Sequence, residues 1–148
     1  MKKCLVLIFS VLFLFTASAW GANTTTYDEG TITITGLDAD WNYATEMAVL
    51  KAAGSKYPKR YDSSSDVIVE SIQFIPGATN DRLIVHGLGG LNASPIFDTG
   101  KVADAYDTRI QYYGNGGRRC TPIIDILDCT LAAGTLANCV VKIHVKQQ

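Results

Sequence analysis

Apolar and polar residues alternate with period two in several stretches of this chain, and that rhythm predicts strands. Ile32 and Ile34 interleave with Thr31, Thr33 and Thr35, a half-buried strand whose threonine face should meet water. Near the other end Cys139, Val141, Ile143 and Val145 should face inward, with Val140, Lys142, His144 and Lys146 outward. Between these lies DVIVESIQFIP, the longest strand candidate. Strict alternation puts Val67, Val69, Ser71, Gln73 and Ile75 on one face and Ile68, Glu70, Ile72 and Phe74 on the other. Apolar residues on both faces predict a central position in its sheet. GATND should then turn the chain so that RLIVHG pairs back as a hairpin, leaving His86 as a rim imidazole. PIFDTG reads as a short strand and its exit turn. In KVADAYDTRIQYYG, Ile110 and Tyr112 fall on one face, with Arg109, Gln111 and Tyr113 on the other. GNGG after it has the Asn-Gly chemistry of a hairpin turn leading into RRCTPIIDIL.

One stretch breaks the rhythm. In WNYATEMAVLKAAG, Asp40 can cap, Ala44, Met47, Ala48 and Lys51 share a face at helical spacing, and Gly54 can stop the turn. This predicts one short helix over about residues 40–53, followed by the loop SKYPKRYDSSS. Strands punctuated by glycine turns, with at most one helix, predict an all-β, single-domain β-sandwich of jelly-roll-like kind.

The N-terminus carries a different signal. Lys2 and Lys3 precede the apolar run Cys4–Phe15, and Ala17-Ser18-Ala19 offers the small residues a signal peptidase accepts. The run falls short of the ~20 apolar residues a spanning helix needs. Residues 1–19 therefore read as a cleavable signal peptide, 20–30 as a flexible mature N-terminus and 31–148 as the sandwich domain. The expected location is secreted, periplasmic or extracellular, with no stable membrane anchor after cleavage. Without the leader, 129 residues remain, enough for one core, with 11 basic residues against 14 acidic ones. The small clusters Lys56, Lys59, Arg60 and Arg118, Arg119 make no basic stripe, so nucleic acid is not an expected partner.

Export gives the cysteines meaning. Cys129 and Cys139 are the leading disulfide candidates, closing a loop of about ten residues, with Cys120 and Cys129 as the alternative. The remaining cysteine is expected as a small buried hydrophobe. No C-x-x-C is present and His86 and His144 stand far apart in sequence, so no zinc site is expected. Asp38 with Asp40, or Asp104 with Asp107, can offer oxygens, but neither pair sits in a calcium loop, so no metal or other cofactor is expected.

The sharpest catalytic motif is Asp98-Thr99-Gly100 behind Ile96 and Phe97, the way an aspartic protease presents its carboxylate. That chemistry needs two such aspartates sharing a proton, and this chain has one, so only a homodimeric hydrolase could use it. Lys101 beside the motif would disturb a shared proton. The simpler expectation is that Asp98 ends a strand and Thr99-Gly100 turns the chain, with no catalytic residue. Trp41, Tyr112 and Tyr113 are the aromatic candidates for a glycan or small-ligand platform.

From Asp66 onward, SIQFIPGATNDRLIVHG, SPIFD and GGRRCTPIIDILDCTLAAGTLANCVVKIHV, with their R-R-x-x-P-x-I-D and D-C-T-L segments, resemble small β-sandwich proteins encoded in tailed-phage genomes. The resemblance covers about residues 66–146 and implies a structural or accessory role, without any site residue. The leader and the Trp41–Ser65 segment depart from it and shift the expectation to an exported surface or filament-forming protein that self-associates or binds a protein partner. The threonine strand 31–35 is the edge expected to pair. N-terminal sequencing of the exported protein is expected to begin Trp20-Gly21-Ala22; retention of Met1 would reject the cleavage.

Overall fold

Strands dominate the computed structural model, which describes residues 24–37, 41, 43–58, 67–86, 95–120, 127–128 and 138–146. The leader 1–19, Asp40 and Cys129 lie outside these residues. In chain order the elements are β1 (Thr24–Asp28), β2 (Thr31–Thr35), α1 (Tyr43–Ala52), β3 (Val67–Ile75), β4 (Ile84–Val85), β5 (Phe97–Asp98), β6 (Arg109–Tyr112), β7 (Arg118–Cys120), β8 (Leu127–Asp128) and β9 (Val140–Val145). The larger sheet runs β1-β2-β9-β3-β6, with β7 also paired to β3; the smaller runs β5-β4-β8. Every pairing is antiparallel. Ile32, Ile34, Phe74 and Ile143 from the larger sheet share one core with Val85 and Phe97 from the smaller. The result is the all-β, two-sheet architecture that the periodicity predicts, with one short helix among the described residues.

Residues 20–30 are not simply a tail, because Thr24–Asp28 pairs with β2 along its whole length. A two-residue turn makes this possible: Glu29 and Gly30 both have positive φ, 43° and 85°, as a type I′ hairpin requires. The threonine strand is consequently internal, between β1 and β9, and is not the sheet's edge. Its faces are as expected, with Ile32 and Ile34 fully buried.

Helix α1 buries Tyr43, Met47 and Leu50, while Ala48 and Lys51 of the expected face are exposed. It ends at Gly54, φ 69°, with Ser55 N–H donating to Leu50 O (2.9 Å) and Gly54 N–H to Lys51 O (3.0 Å). Those two bonds are a Schellman cap, in which glycine accepts the left-handed conformation without steric cost. The Trp41 indole N–H donates to Thr25 Oγ1 (3.0 Å), and that hydroxyl donates to Glu46 Oε2 (2.7 Å), tying α1 to β1.

β3 is central, flanked by β9 on one side and by β6 and β7 on the other. Its faces differ from strict alternation. Ser71 pairs with His144 and Val69 with Val145, so Glu70 is an extra residue, a β-bulge. Across it the buried set changes phase, from Val67 and Val69 to Ile72 and Phe74. Without the bulge, the inner face of β3 would carry Ser71 and Gln73.

Two expected hairpins do not form. β3 does not pair with β4, which belongs to the other sheet. Asp81 is responsible: its buried Oδ2 accepts from Gly77 N–H (2.8 Å) and Ala78 N–H (2.9 Å), holding the GATND turn. Gly77 lies so close to the start of β9 that a Cβ there would come within 2.9 Å of Cys139 N. This anchor diverts the chain to the second layer. Nor does GNGG reverse direction. β6 pairs with the C-terminal half of β3 and β7 with its N-terminal half, so the two run collinearly along one side and residues 113–117 loop out between them. The turn chemistry is real, with Gly117 N–H donating to Gly114 O (3.2 Å), but it closes an excursion.

Gly117 is where the excursion returns. Its φ is 61°, and a Cβ would meet Ile68 Cγ2 at 2.5 Å and Val69 O at 2.9 Å, whereas a Cβ on Gly116 meets nothing within 4 Å. Gly117→Ala is expected to cost about 2 kcal/mol in urea unfolding, and Gly116→Ala under about 0.5 kcal/mol. Equal effects would reject this account of the return.

Candidate functional site

Asp98 stands at the end of β5, opposite Ile84. The Arg82 guanidinium holds it with a fork, Nε donating to Oδ1 (2.8 Å) and Nη2 to Oδ2 (2.5 Å), and Gly100 N–H also donates to Oδ1 (2.9 Å). Thr99 continues the ladder: its N–H donates to Leu83 O (3.0 Å), while its Oγ1 accepts from Leu83 N–H (3.0 Å) and donates to Gly100 O (2.8 Å). Gly100, φ 62°, makes the turn. The hydrogen bond from Arg82 does most to hold the Asp98 carboxyl down at about 2, against burial, which pushes it up. Arg82 engages both carboxylate oxygens and Gly100 turns the chain directly after β5, so in this fold the Asp-Thr-Gly motif forms an ion-paired strand exit.

The aromatic candidates separate. Trp41 is 1% exposed, meets Tyr43 edge to face at 6.5 Å, and spends its N–H on Thr25, so it packs and does not present a platform. Tyr113 turns inward, half-buried against the core, and its phenol donates to Ile96 O (2.8 Å). Burial pushes that phenol above its ordinary range. Tyr112 remains in solvent at 69% exposure. Adjacent residues in a strand point to opposite faces, so Tyr112-Tyr113 forms no joint surface.

His86 is buried, not a rim imidazole, and its Nδ1 finds no partner among the described residues. Cys120 and Cys139 are both buried, and desolvation raises the Cys139 thiol. No disulfide joins the described cysteines. Both candidate pairings involve Cys129, which lies outside them. Lys56 pairs with Asp28 at the surface. Among the described residues no three His, Cys, Asp or Glu side chains cluster as for a metal, and no helix is long and apolar enough to cross a membrane.

Tyr112 leads to a concavity the sequence reading missed. On the outer face of the larger sheet, Tyr112, Ser71, His144 and Thr31 stand in one cross-strand row, and Ile110, Gln73, Lys142 and Thr33 in the next. Between β6, β3 and β9, Tyr112, Ser71 and His144 of the first row and Ile110 and Gln73 of the second line a groove of about 500 Å³, together with Glu70, Gly114 and Asn115. The Thr31 hydroxyl and His144 Nδ1 lie 3.0 Å apart, which fixes the imidazole. Outward positions 142 and 144 were legible from alternation in β9. Ser71 and Gln73 were not, because the bulge decides their face.

β6 itself inverts the usual pattern. Arg109 and Gln111 lie beside the buried Phe74 and Ile72, on the core side, and Ile110 and Tyr112 lie on the solvent side. All four are exposed, and among the described strands β6 ends the sheet. Three of the four exposed large hydrophobic residues among those described, Tyr106, Ile110 and Tyr112, belong to residues 106–112; the fourth is Val49 on α1.

The chain matches no family model, no curated protein and no solved structure.

Asp98 has a depressed carboxyl, so its stabilisation is present above its ordinary value of 3.8 and is lost as pH falls through about 2. Both partners are about one-third exposed, so Asp98→Asn is expected to cost about 0.5–1 kcal/mol at pH 6. Urea unfolding of wild type and variant should converge as pH drops toward 2. A gap of constant size over that range would reject the ion pair as its source.

Proposed function

We propose that this is an exported, non-enzymatic β protein with a structural or interaction role, which self-associates by adding a second copy to the β6 edge of its larger sheet. The observation that carries this reading is the exposed edge strand Arg109–Tyr112 with its outward Ile110 and Tyr112. Exposed apolar residues concentrated on an edge that no described strand pairs with are uncommon in proteins that stay single, which blunt their edges with charge, proline or bulges.

The hydrogen-bond phase of β6 is set by Tyr113 N–H, which donates to Glu70 O (3.0 Å). In an antiparallel pair the bonding residues alternate, so Arg109 and Gln111 point their N–H groups at β3 and Ile110 and Tyr112 point theirs outward. Two copies related by a twofold axis at Gln111 would place Ile110 of each opposite Tyr112 of the other. That register forms backbone bonds between the outward groups and pairs an aromatic with a β-branched side chain on the same face. Arg109 then meets Tyr113, so no like charges oppose.

The resemblance from residue 66 onward to small phage-encoded β-sandwich proteins supports a structural role of this kind. Asp98, held by Arg82, supports the absence of hydrolytic chemistry in that role.

Light scattering of the mature chain from about 1 μM to 1 mM is expected to follow a monomer–dimer equilibrium. Ile110→Pro removes an outward N–H without touching the bonds to β3, and proline is tolerated on edge strands. It and Ile110→Lys, with unchanged circular dichroism, are expected to weaken association at least about tenfold. A wild type that stays monomeric throughout, or variants that associate as well as it does, would overturn the proposal.

A further inference from the structure

We infer that the groove between β6, β3 and β9 is a binding site for a neutral oligosaccharide, with Tyr112 as the stacking platform and Gln73, Ser71, Glu70 and His144 as the hydroxyl-binding groups.

The inference rests first on the lining. Sugar rings present apolar C–H faces and a rim of hydroxyls that both donate and accept. The groove matches both properties. Tyr112, 69% exposed, and Ile110 beside it supply an apolar lip in contact with solvent. Behind the lip stand an amide (Gln73), a hydroxyl (Ser71), a carboxylate (Glu70) and an imidazole (His144), with a second amide from Asn115. Convergent polar groups beside an aromatic surface in a concavity of this size are the usual make-up of a small-ligand site.

Rigidity is the second ground. Ser71, Gln73 and His144 sit on the two central strands of the larger sheet, not on loops. Thr31 engages His144 Nδ1, leaving Nε2 for the groove. Ser71 is held beside the bulge at Glu70, and the bulge itself puts the Glu70 carboxylate on the exposed side. Groups fixed in this way lose little entropy on binding.

Charge selects the class. Among the described residues Glu70 is the one formally charged group in the lining, and no described arginine or lysine lines the groove. Lys142 is in register with Gln73 one strand away but does not line it. Phosphate, sulfate and uronate ligands would meet a carboxylate and no counter-charge, so a neutral glycan fits and an acidic one does not. An extended peptide would gain its affinity from an open backbone edge, which lies along the outside of β6 and not in the groove.

The test uses the mature full-length chain with cellohexaose and chitohexaose as neutral probes, a hyaluronan hexasaccharide as the acidic one, and a pool of extended decapeptides as the alternative. Binding is read by titration calorimetry and by NMR shifts. At least one neutral hexasaccharide is expected to bind below about 1 mM. Tyr112→Ala should weaken it at least about tenfold, and Gln73→Ala about fivefold, with folding checked by circular dichroism. Tyr106→Ala removes a still more exposed tyrosine outside the groove and should leave the affinity unchanged. The acidic hexasaccharide should bind more weakly than the neutral one. No neutral binding at about 10 mM, a Tyr112→Ala affinity equal to wild type, or binding of the peptides alone would overturn the inference.

Discussion

The β-bulge at Glu70 is the constraint on which the rest of this structure depends. β3 is nine residues long and carries apolar side chains at both parities, so a regular strand would present Val67 and Val69 to one layer and Ile72 and Phe74 to the other. One extra residue opposite β9 changes the phase midway, and all four reach the same core. Each of these side chains contributes on the order of 1.5–3 kcal/mol when buried, so a slip that expelled two of them would remove about 3–6 kcal/mol, a large part of a small domain's margin of roughly 5–15 kcal/mol. The same device orders the opposite face. Ser71 and Gln73 become outward neighbours of His144 and Lys142, and Glu70 emerges into solvent. On the other side of β3 Tyr113 N–H still bonds to Glu70 O, and residues 114–117 loop out before β7 resumes at Arg118.

Where alternation was regular, the sequence was readable. β2 and β9 carry strict period-two patterns, and their buried sets match those patterns residue for residue. α1 was visible from its spacing and from Gly54. What local pattern does not encode is who pairs with whom. The Asn-Gly chemistry of GNGG marks a turn correctly, yet whether the chain then reverses depends on the partner strand, here β3 on both sides of the excursion. GATND looked like an ordinary hairpin loop, and only the burial of Asp81 beneath two backbone N–H groups diverts it. The type I′ turn at Glu29-Gly30 went unseen because glutamate is an unusual occupant of a positive-φ position.

The candidate site was legible in part, for a related reason. Asp-Thr-Gly and Tyr-Tyr are short strings whose meaning lies in their third dimension. Arg82, sixteen residues before Asp98, turns the first into an ion-paired strand exit. Strand geometry splits the second, sending Tyr113 to a backbone carbonyl and Tyr112 to water. Trp41 had the right chemistry for a platform but joins the core because its indole N–H finds Thr25 there. Which face of β6 is inside could not be read from RIQY, as an edge strand beyond the core permits either choice.

That choice links the two properties argued for β6. Its backbone edge and its outward side chains point in perpendicular directions, so a second copy can pair with the edge while a ligand occupies the face. Twofold pairing at Gln111 would also bring the two grooves onto one continuous face, with the Ile110–Tyr112 lips adjoining at the axis. A glycan long enough to reach both would then bind with the advantage of effective concentration, without any new contact in either groove. The inverted pattern of β6 has a consistent physical logic on this view. Apolar residues placed outward on an edge strand destabilise nothing in the core, which Phe74 and Ile72 already fill, and they are available where a partner strand and a sugar ring can both use them.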